Sequence, residues 1–161
     1  MHARGMALLE ASIGLVILAI GLTGLMWWQQ QHMLQQRQHQ ARAQALHLAS
    51  DLVERIRLNP QALAAYALSW PSEIPAAPDC RQQACTRDDL AKWDVQQWWT
   101  RVHTELPEGR ASVFPATDAL GWWGVVLAWH DPDANLRTDT SHGTPACPEA
   151  MSCWRLWFHP G

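Results

Sequence analysis

Four cysteines, Cys80, Cys85, Cys147 and Cys153, are the side chains best suited to chemistry in this sequence of 161 residues. Four thiolates could hold zinc, but these pairs are separated by four and five residues, where a zinc pair usually has two. No C-x-x-C redox pair is present. In an oxidising compartment an even count reads as two disulfides, with three possible connectivities. The local pairs Cys80–Cys85 and Cys147–Cys153 are the simplest. Each would close a short loop worth about 2 kcal/mol.

Other chemistry is thin. Asp131, Asp133 and Asn135 begin like a calcium loop, but Leu136 stands where glycine is needed and His142 where the closing glutamate belongs. The stretch reads as a solvated acidic loop. The eight histidines include no i,i+4 pair for a helical metal site, so no metal and no cofactor are expected. Without G-x-S-x-G, P-loop or dinucleotide fingerprint, an enzyme is not expected either. Trp122, Trp123, Trp154 and Trp157 could form a sugar- or partner-binding face. Adjacent residues on a strand point to opposite faces, so at least half of them belong in a core. One residue is harder to dismiss. Glu10 puts a carboxylate just inside an apolar run, where an ionised group is expensive and usually functional.

The elements that would carry these residues follow from pattern. From Ala11 to Trp28 the only polar side chains are Ser12 and Thr23. As a helix, Met6–Trp28 would be about 34 Å long, enough to span a bilayer. Arg4 precedes the run and the next Lys or Arg is Arg37, so the N-terminus is expected in the cytoplasm and the rest exported. A cleaved signal peptide would be shorter and end in a small-x-small site, which first occurs at Ala41-x-Ala43. Trp27 and Trp28 suit the outer interface.

The helical pattern continues. Gln29 to Leu58 contains no Pro or Gly, and Leu34, Ala41, Ala45, Leu48, Leu52 and Ile56 form one apolar stripe. Asn59-Pro60 is a stop. One helix of about 50 residues, roughly 80 Å long, results. Gly14, Gly21 and Gly24 suit close helix packing.

About 100 residues follow, the size of one small domain. Residues 68–85 read as an ordered loop. Thr86 and Asp89 resemble a capping box, and Leu90, Trp93, Trp98, Val102 and Leu106 recur near helical spacing behind it. A turn at 107–109 leads to three strand-like runs, "RASVFPAT", "GWWGVVLAWH" and "CWRLWF". Their order favours an antiparallel sheet. A net charge of −3 and a single lysine, Lys92, argue against nucleic acid or anionic lipid as partners.

Arg4-Gly5, then Met6-Ala7-Leu8-Leu9-Glu10, then the apolar helix, resembles the prepilin signature of type IV pilins and type II secretion pseudopilins. The resemblance implies a leader of residues 1–5, cut between Gly5 and Met6 by a prepilin peptidase and methylated at Met6. Residues 6–28 would be the membrane half of the helix, 29–58 its amphipathic half, and 59–161 the exported head. The implied fold is α+β, a long membrane-spanning helix packed on a small antiparallel sheet. Glu10 would pair with a neighbour's Met6 amine in a filament, removing two unpaired charges from an apolar core. The Cys pair, the Trp-bearing helix and Leu106-Pro107-Glu108-Gly109 look like PilV-type minor pilins, which have a glycine where Glu108 stands.

That resemblance implies a minor-pilin complex that primes or caps the filament. Its partners would be other minor pilins, the major pilin and the inner-membrane assembly platform. The chain would sit in the inner membrane with a periplasmic head, then in the pilus, at its tip. A minor pseudopilin of type II secretion, and a pilus-tip binding or adhesion subunit, are the alternatives.

Overall fold

The proline at position 60 decides where the first element stops. In the computed structural model, helix α1 runs Ala3–Leu58 and ends two residues before Pro60. It begins at Ala3, earlier than the expected Met6. The structure describes residues 3–70, 73, 76–117, 119–131 and 145–160, with backbone alone for 3–9, 25, 27 and 29–35. Two compact units are present, Met1–His39 and Gln40–Gly161.

In the first unit every described side chain from Glu10 to Gly24 is exposed. Leu15 and Ile20 are each 67% accessible. A helix that is apolar all round and uncovered needs lipid or other chains against it. Among the described residues no helix is long and apolar enough to cross a membrane. Described side chains run unbroken only from Glu10 to Gly24, and the expected Met6–Trp28 span reaches past both ends.

The second unit is built on the apolar stripe. Ala41, Ala45, Leu48, Leu52 and Ile56 are all buried, joined by Ala49 and Val53; the side chain of Leu34 lies outside the described residues. A 3-10 helix, Pro60–Tyr66, follows, with Pro at its start and Ala62 and Tyr66 turned inward. It stands where no element was expected. Asn59, itself buried, ties the end of α1 to the next helix by donating from Nδ2 to Arg87 O at 2.8 Å.

Helix α2, Arg87–Glu105, starts on the expected capping box: Thr86 Oγ1 accepts from Asp89 N, and Asp89 accepts from Thr86 N. Its buried face keeps the expected Trp98, Val102 and Leu106 and differs toward its start. Ala91, Val95, Trp98 and Val102 face the core, whereas Leu90 is exposed and Trp93 only half-buried. Counting from Trp98 at spacings of three and four leads back to Val95 and Ala91, so Leu90 and Trp93 fall beside the stripe.

Three antiparallel strands follow in the order β1 (Arg110–Pro115), β2 (Trp123–His130) and β3 (Met151–Phe158). β1 and β2 are shorter than the expected runs, and β3 starts two residues earlier. Residues 68–85 are not wholly loop, because Leu68 bridges to Val113. Val113, Val125 and Leu156 lie side by side on the core face, and Ser112, Val126 and Arg155 on the other. Gly124 lies under the Phe114 ring, where any Cβ would overlap it.

Candidate functional site

Glu10 is the only titratable side chain described within the exposed apolar stretch. Thr23, a second polar residue there, satisfies its hydroxyl by donating to Ile20 O at 2.8 Å. Among the described residues no hydrogen bond caps Glu10, and it stays accessible on α1. Gly5 and Met6 are helical in backbone, and their side-chain positions lie outside the described residues. This surface is an exposed apolar stretch of helix with one carboxylate near its start.

The cysteines form two separate local disulfides, Cys80–Cys85 and Cys147–Cys153. Of the three connectivities, the local one is realised, and no four-thiolate set forms. Asp79 organises the first loop, its carboxylate accepting from the Arg81 N–H and side chain and from Gln82. The Arg81 main-chain N–H, followed by its guanidinium, holds the Asp79 carboxyl below the usual carboxylate range. Thr86 does the same for Asp89 at the start of α2.

Of the calcium-like residues only Asp131 is described. It accepts from Ser152 Oγ at 2.6 Å; Asp133, Asn135, Leu136 and His142 lie outside the described residues. The tryptophans divide as strand geometry requires. Trp123 and Trp154 pack against the core, Trp122 is exposed, and Trp157 meets Phe114 edge-on at 5.5 Å on the opposite face. They make no continuous binding face. Arg42, on α1, instead lies over the Trp154 ring, 4.8 Å from its centroid.

One polar constellation was not anticipated. Arg55 Nη1 donates to Asp94 Oδ1 at 2.9 Å and its Nε to Asp51 at 3.2 Å. Arg101 bridges Asp51 and Glu105. Tyr66 OH donates to Asp94 Oδ2 at 3.0 Å. Burial, reinforced by the Asp94 charge, pushes the Tyr66 phenol well above its ordinary pKa. The i,i+4 spacings Asp51/Arg55 and Arg101/Glu105 were visible in sequence. Asp94 was not distinguishable from a surface acid. The network fastens α1, the 3-10 helix and α2 to one another; its groups are engaged with each other and form no catalytic set.

A model of the Tt1218-like family, described as type IV pilin Tt1218, matches residues 29–96. Over those residues the chain is similar to a type IV pilin. The match takes in the amphipathic half of α1, the 3-10 helix, the Cys80–Cys85 loop and the first half of α2. It is a likeness to a pilin over about two fifths of the chain. The α+β architecture with a small antiparallel sheet is consistent with such a pilin-like fold. No curated protein and no solved structure matches the chain.

Proposed function

We propose that this pilin-like chain is a minor pilin of a type IV pilus, of the PilV kind, which primes or caps filament assembly within a minor-pilin complex. The family match at residues 29–96 carries the reading. It adjoins the prepilin-like Arg4-Gly5-Met6…Glu10 sequence and the exposed apolar stretch. A subunit that assembles needs an adhesive helix and a stable head, and both are present without a clustered acid, base and nucleophile among the described residues.

In this reading the apolar part of α1 sits first in the inner membrane, N-terminus cytoplasmic, and then in the filament core. Prepilin peptidase cuts after Gly5 and the Met6 amine is methylated. Glu10 pairs with that amine on a neighbouring subunit, so two charges enter the apolar core together. The head meets other minor pilins, and the assembly platform receives the helix.

Mass spectrometry of the chain recovered from membranes or sheared pili tests the reading. The expected N-terminus is methylated Met6, and Gly5→Leu should accumulate uncut precursor. A wild-type chain that still starts at Met1 refutes it.

A further inference from the structure

We draw no further inference here: the strongest candidate, the exposed apolar tip of the β1–β2 turn formed by Leu120 and Trp122, carries none because nothing in the structure shows what covers it.

Discussion

The indole Nε1 of Trp98, on α2, donates a 2.7 Å hydrogen bond to the main-chain carbonyl of Leu48, on α1. Trp98 and Leu48 are both fully buried. The largest fully buried side chain described thus also fixes the register of the two helices. Trp98→Phe removes the donor and leaves a small cavity, and should cost about 2 kcal/mol. In thermal melts followed by circular dichroism this would appear as a Tm lower by roughly 10 °C.

Tyr66 is the only tyrosine in the chain, so its ionisation can be followed by phenolate absorbance. Burial and the neighbouring Asp94 carboxylate raise its pKa in the folded state. The folded state therefore holds the phenolic proton at pH values where the unfolded chain, with an ordinary pKa near 10, has lost it. This contribution to stability is complete below pH 10 and declines as the pH rises above it. Little phenolate should appear near pH 10, and its appearance at higher pH should coincide with unfolding. Tyr66→Phe should flatten the alkaline decline in denaturant titrations.

The turn between α2 and β1 holds a residue in a costly conformation. Glu108 has φ +50, a left-handed value that suits glycine. Glu108→Gly should stabilise the head by about 1 kcal/mol, measured by urea unfolding. The adjacent Gly109 cannot be changed in return. A Cβ there would collide with the Val102 carbonyl oxygen, so Gly109→Ala should be destabilising.

Both disulfides close short loops, so neither should be essential to the fold. Non-reducing peptide mapping should recover Cys80 linked to Cys85 and Cys147 linked to Cys153, with no alkylatable thiol. Replacing either pair by serine should cost about 2 kcal/mol. Cys153 lies within β3, so loss of its bridge should speed exchange of β3 amides selectively.

Glu10→Ala should still be cut and inserted, since the segment becomes more apolar. Partner subunits should be lost instead, because a neighbour's Met6 amine would remain buried and unpaired. Pilus counts and co-purification at equal membrane levels read this out. Unchanged values would mean that Glu10 has no part in assembly.

The long helix was legible because it announces itself twice, by period and by stop. Ala41, Ala45, Leu48, Leu52 and Ile56 recur at helical spacing, and Pro60 forbids continuation. The capping box at Thr86 was legible for the same reason, since both partners lie within three residues. What sequence could not supply was direction in space. Leu90 and Trp93 are as apolar as the residues that do face the core, and only the docking of Trp98 on Leu48 decides which side of α2 turns inward. Asp94 reads as a surface acid until Arg55 and Tyr66, 39 and 28 residues away in sequence, are brought to it. The prepilin-like start was visible from Arg4, Gly5 and Glu10 together, while the 3-10 helix after Pro60 had no periodic signal long enough to detect.

The strand order has a kinetic consequence. β1 pairs with β2 and β2 with β3, so each hairpin joins neighbours in the chain and involves a modest loop closure. The distant closures lie elsewhere: Leu48 to Trp98, 50 residues apart, and Leu68 to Ser112, 44 apart. A nascent chain emerges N-terminus first, so the stripe from Ala41 to Ile56 is synthesised before any of α2 exists to cover it. During that interval the half-made protein carries an adhesive ridge, and the arrival of Trp98 marks the end of its most aggregation-prone stage.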